Sequence, residues 1–123
     1  RFDWEVAQRL KAGRRYIALL NSLPSVQQLV VRSDRDSVWG QFTVQVENRE
    51  VVLERLNAAG IPTAVHYPIP LHQQPAYRDL CRVSGSLRNA ERVALRVVSL
   101  PMHPYIDFAT QEYVVGVLAE AVA

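Results

Sequence analysis

The sequence has one cysteine (Cys81), one methionine (Met102) and one lysine (Lys11) among 123 residues. A single cysteine excludes an internal disulfide and fits a reducing compartment, so a cytoplasmic location is expected. No apolar run approaches the ~18 residues a spanning helix needs, so no membrane partner is expected. The five glycines stand apart from one another, which excludes a glycine-rich phosphate loop, and no nucleophile-elbow pattern occurs. Charged residues make up 21% without a long block of one sign, which argues against wholesale disorder. The chain opens Arg1-Phe2-Asp3-Trp4 with neither an initiator Met nor a signal-peptide pattern, and it reads as a piece of something longer.

Net charge is +2, and apart from Lys11 the basic residues are all arginine, interspersed with Asp and Glu. The one local excess is Arg9, Lys11, Arg14 and Arg15, expected to be a solvated helix face. A nucleic-acid binder shows a denser basic stripe with interleaved aromatics, so no nucleic-acid partner is expected. Cys81 follows Tyr77-Arg78-Asp79-Leu80, a helical-looking stretch, and is expected to be a half-buried small apolar residue rather than a nucleophile.

What is present is the content of one folded domain. With 49% hydrophobic residues, a chain of this size can bury about two thirds of its unfolded surface. Val6, Leu10, Gly13, Ile17 and Leu20 recur at helical spacing, which predicts a helix over residues 3–21 with Asp3 capping its start. Residues 25–36 are mostly polar and turn-rich. Val38, Phe42, Val44 and Val46 alternate with Gln41, Thr43 and Gln45, the pattern of a half-buried strand. Asn48 is suited to cap a helix carrying Val52, Leu53, Leu56 and Ala59, which Gly60 and Pro62 end.

Residues 63–67 read as a short strand beside the first. Three prolines in Pro68–Pro75 exclude regular structure there. A short helix from Pro75, a second capped by Ser86 and carrying Leu87, Ala90 and Val93, a strand over 96–100 and a last helix capped by Asp107 complete the order. The last helix carries Val114, Val117, Leu118 and Ala121 on one stripe. The expected class is α+β: helices packed on a small, mainly antiparallel, three-stranded sheet.

Three histidines are candidates for chemistry: His66, His72 and His103. No acidic residue separates His66 from His72, so a metal site is not expected. Composition leaves a Ser–His–Asp arrangement open. The unusual segment is Val65-His66-Tyr67-Pro68-Ile69-Pro70-Leu71-His72, where a strand end feeds a stiffened loop bearing two imidazoles and a phenol. Prolines lower the entropy lost when such a loop is ordered, and these rings suit polyols and sugars. The same segment also reads as a cover for a sheet edge, with His66 hydrogen-bonded to backbone.

The run from Gly60 through Tyr77, with Ala90-Glu91-Arg92 and Val98-Ser99-Leu100-Pro101-Met102-His103-Pro104-Tyr105, resembles the C-terminal region of the PLP-dependent nucleotide-sugar aminotransferases of the DegT/DnrJ/StrS type. Arg1-Phe2-Asp3-Trp4-Glu5, Arg9 and Tyr16 resemble the helix that leads from that family's large domain into the small one. The resemblance implies a fold-type I architecture in which residues 1–23 are the inter-domain helix and 24–123 the small C-terminal domain. Its large domain, with the PLP lysine, would be absent here, and Lys11 matches no PLP-lysine motif. The parent enzyme would be a homodimer. It would take an amino group, commonly from glutamate, and deliver it to a keto nucleotide sugar in a ping-pong transamination.

His66 and Tyr67 would then be the first residues to contact the sugar and His72 the next, while His103 would brace its loop. This chain alone would neither hold PLP well nor transaminate. The wording of residues 64–77 resembles the branch that makes 3-amino sugars, such as acetamido-uronic acids of bacterial surface polysaccharides, lipopolysaccharide among them. The competing expectation is a stand-alone small α/β ligand-binding or regulatory module.

Overall fold

The computed structural model describes residues 1–123. Four helices and three short strands run in the order α1 (Phe2–Leu20), β1 (Gln27–Gln28), β2 (Phe42–Gln45), α2 (Arg49–Ala58), α3 (Arg88–Ala94), β3 (Val97–Leu100), α4 (Phe108–Val122). The sheet order is β1-β2-β3 and both pairings are antiparallel, as the α+β expectation requires. Phe42 lies opposite Leu100 and Val44 opposite Val98; all four are buried on the core face. On the other face Thr43 lies opposite Ser99, and their hydroxyl oxygens are 2.9 Å apart. α4 packs against both α1 and α2. Tyr16, Leu20, Val52, Leu56, Val114 and Leu118 close the core with the strands. No helix is long and apolar enough to cross a membrane.

Two helix ends follow the expected local chemistry; the start of α1 does not, since the helix begins at Phe2 and Asp3 lies inside its first turn without capping it. Asp107 Oδ1 accepts from Thr110 N at 2.7 Å at the start of α4. That hydrogen bond holds the Asp107 carboxyl below the usual carboxylate range. Gly60 takes φ +75°, the left-handed position that ends α2. Asn48 differs from the expectation. It is itself left-handed at φ 47°, and its side chain caps nothing; its carbonyl accepts from Val51 and Val52 instead. Asn tolerates that region better than most residues.

Three expected elements come out differently. β1 arises within the polar stretch 25–36, where Gln27 and Gln28 pair with Gln45 and Val44. Residues 63–67 form no strand and do not lie beside β2. Ala64 alone bridges Ser99, on the edge of β3 away from β2. Pro62 and Pro68 flank this stretch and leave no room for a ladder. Residues 75–80 are successive turns, with Arg78 N bonded to Gln74 O and Cys81 N to Tyr77 O. Every side chain from Pro75 to Ser86 is exposed, so a helix there has no apolar face to bury. Cys81 is therefore exposed, not half-buried.

The basic face of α1 is only partly solvated. Lys11 and Arg14 are exposed. Arg9 Nη1 donates to Trp39 O at 3.0 Å, and Arg15 Nη2 donates to Ile106 O at 2.7 Å. Tyr16 Oη donates to Pro101 O at 2.9 Å. These three side chains pin α1 to the loops at one end of the sheet, before β2 and after β3.

Candidate functional site

The loop after residue 65 cannot form a ladder, so it leaves the edge of β3 and folds over α3. Pro68 and Pro70 fix its path, and Leu71–Gln73 makes one 3-10 turn. Gln74 Nε2 closes the loop by donating to Ile69 O at 3.3 Å. Between this loop, the Ala90, Val93 and Ala94 face of α3 and Val97 at the start of β3 lies an open cavity of about 620 Å³. Arg49 anchors the end of α3 by donating to Ala94 O.

The cavity wall brings together His66, Tyr67 and His72, the three residues singled out from the sequence. The His66 ring meets Tyr67 edge-on, with centroids 5.5 Å apart and planes at 85°; the peptide bond joining the two residues is cis. His66 Nδ1 is buried without a partner, so the ring is not tied to backbone as the edge-cover reading requires. Tyr67 is 70% exposed and projects from the surface. His72 Nε2 lies 3.0 Å from Glu91 Oε1, and Gln73 Nε2 lies 3.2 Å from the same oxygen.

His103 stands apart from this cavity. Its Nδ1 accepts from Tyr105 N at 3.2 Å, a contact within its own loop.

Sequence reasoning quoted Glu91 in a motif but gave it no role, and it named neither Arg49 nor the α3 floor for the site. Contacts between residues nineteen apart, as His72 and Glu91 are, leave no periodic signal.

No Asp, Glu, Lys or Arg lines the cavity, and its wall is mostly apolar. It suits an uncharged ring or an acyl group, with imidazole and phenol edges for hydrogen bonds. No three His, Cys, Asp or Glu side chains gather as a metal would require.

The fold is a small α+β unit that matches part of known aminotransferases. The chain belongs to the DegT/DnrJ/EryC1/StrS aminotransferase family, which matches residues 1–119. It is 40% identical over 117 residues, 95% of its length, to a UDP-2-acetamido-2-deoxy-3-oxo-D-glucuronate aminotransferase of Pseudomonas aeruginosa, of which it covers 32%. It superposes on DesV of S. venezuelae, solved with a ketimine intermediate, with TM-score 0.89 and 36% identity over 96% of this chain and 32% of that one. A family aminotransferase from Brucella abortus gives TM-score 0.88 and 34% identity over 97% of this chain and 31% of that one. The chain thus spans about a third of the length of the relatives it matches.

The family depends on PLP, and one matched structure holds bound PMP. The residues of this chain do not fit that cofactor. PLP needs a lysine amine and a phosphate cradle. Lys11 is the only lysine, is exposed on α1 and does not line the cavity, and the cavity wall carries no cation.

Proposed function

We propose that this chain is the substrate-positioning domain of a PLP-dependent aminotransferase that aminates a keto nucleotide sugar. Residues 24–123 form that domain, and residues 1–23 are the helix joining it to the lysine-bearing remainder of the enzyme. The substrate is a UDP-linked 3-keto hexose or hexuronic acid with glutamate as amino donor, a reading supported by the likeness to the P. aeruginosa relative. The products serve surface polysaccharides, and the enzyme works in the cytoplasm as a dimer. On its own the chain is inactive.

One observation carries the reading. His66, Tyr67 and His72 share one uncharged cavity beside an exposed phenol. The wall favours the sugar ring or an acetamido group over the diphosphate, which needs cations. His66 and Tyr67 hydrogen-bond and cover the sugar, and His72 supports the far side. This domain holds the keto carbon at the reaction centre and excludes water, while the proton transfers belong to the lysine domain. Exposed Tyr67, Ile69 and Leu71, which share the cavity rim, form the apolar face that the remainder of the enzyme covers.

The test uses the full-length enzyme and its two half-reactions. His66→Ala raises the KM for the nucleotide sugar roughly tenfold, the worth of one buried hydrogen bond, and leaves the glutamate half-reaction intact. Equal loss in both halves contradicts the assignment.

A further inference from the structure

The contact between His72 and Glu91 determines what His72 can do. An ionised carboxylate only accepts hydrogen bonds, so the His72 nitrogen facing it must carry the proton. That nitrogen is Nε2, 3.0 Å from Glu91 Oε1. Its partner nitrogen, Nδ1, has no partner in the chain and is not sealed from solvent. Neutral imidazole with Nε2–H leaves Nδ1 as a lone-pair acceptor. The His72 side chain is only 15% exposed, so the ring is held rather than free to rotate. Glu91 also accepts from Gln73, which ties the middle and last residues of the 3-10 turn to α3.

We propose that Glu91 is a positioning residue for the sugar cavity: its carboxylate fixes the His72 ring so that Nδ1 accepts a hydrogen bond from a hydroxyl or amide N–H of the substrate. The proposal rests on the sugar-binding reading above. It adds that the cavity selects a substrate with a donor at this point, as an acetamido N–H or a free sugar hydroxyl provides. Glu91 touches no substrate; it acts through His72, as second-layer carboxylates do for ligating histidines.

The test is a mutant cycle in the full-length holoenzyme, read as sugar KM and kcat alongside the glutamate half-reaction. Glu91→Ala raises the sugar KM roughly tenfold and leaves the glutamate half-reaction unchanged. Glu91→Gln keeps one acceptor oxygen for His72 and recovers most of that loss. In a His72→Ala background, Glu91→Ala adds nothing, because its effect passes through the missing ring.

Additive effects of Glu91→Ala and His72→Ala overturn the proposal, as does a wild-type sugar KM in Glu91→Ala. So does joint loss of both half-reactions in Glu91→Ala and Glu91→Gln. His66→Ala, run in the same assay, separates the two claims. If His66→Ala raises the sugar KM while the Glu91 variants behave as wild type, only the positioning role falls. If His66→Ala is also silent, the sugar-cavity reading falls, and this proposal with it.

Discussion

Trp39 lies where a side chain on Gly13 would be: a Cβ built there would sit 2.2 Å from Trp39 Nε1. The buried face of α1 therefore carries a notch that seats the indole, and Trp39 in turn packs on Phe42, with ring centroids 4.8 Å apart. Two effects of Gly13→Ala oppose each other. Alanine adds about 1 kcal/mol of helix stability. Overpacking against a rigid ring costs about 1–3 kcal/mol, and at 2.2 Å the ring must move. Overpacking wins, so Gly13→Ala lowers the urea unfolding midpoint and alters the near-UV circular dichroism of Trp39. An unchanged midpoint would contradict the notch.

The guanidinium of Arg9 connects two loops that are far apart in sequence. It donates to Trp39 O at 3.0 Å and Met102 O at 3.5 Å from a partly buried position. Arg9→Ala leaves both carbonyls short of a charged donor, a loss of about 2 kcal/mol. Lys11→Ala, on the solvated side of the same helix, shifts stability by less than about 0.5 kcal/mol. Chemical denaturation of the two variants side by side checks the contrast.

Tyr16 carries a pH signature. Burial pushes its phenol well above the ordinary value of 10.0, with Arg15 pulling the other way. The folded state therefore keeps a proton that the unfolded state releases. Its contribution to stability is whole below pH 10.0 and is lost as pH rises beyond it, by about 1.4 kcal/mol per pH unit. Tyr67, Tyr77, Tyr105 and Tyr113 are exposed. Tyr16→Phe removes the alkaline slope. Near neutrality it costs about 1 kcal/mol, because Pro101 O loses its donor. Urea midpoints from pH 8 to 11 measure both effects.

The helical stripes, the Phe42–Val46 alternation and the Asp107 cap were legible in the sequence because each depends on neighbours within a few residues, whereas Val38, expected on the same buried face, precedes β2 and is exposed. Gly60 was legible for the same reason. β1 was not: Gln27 and Gln28 have no strand propensity and pair only because Val44 and Gln45 present an open edge. The strand expected over 63–67 failed because Val65, His66 and Tyr67 look extended and β-branched or aromatic, while the flanking prolines limit pairing to Ala64. The helix expected from Pro75 has good starting chemistry but nothing to pack on.

At the site, His66, Tyr67 and His72 stood out through composition and resemblance. Glu91 acts across a fold-level contact that no window of sequence displays. The basic run on α1 misled for a related reason. Arg9 and Arg15 look like solvent-facing charges until the carbonyls of Trp39 and Ile106 come into reach.

The most direct measurement is a crystal structure of the full-length enzyme with its keto or amino nucleotide sugar bound. The account predicts the sugar ring in the cavity between the 66–74 loop and α3, with an oxygen or nitrogen of the sugar within about 3.2 Å of the His66 ring or the Tyr67 hydroxyl. A sugar bounded entirely by residues outside this domain, with the cavity filled by other protein, would contradict it.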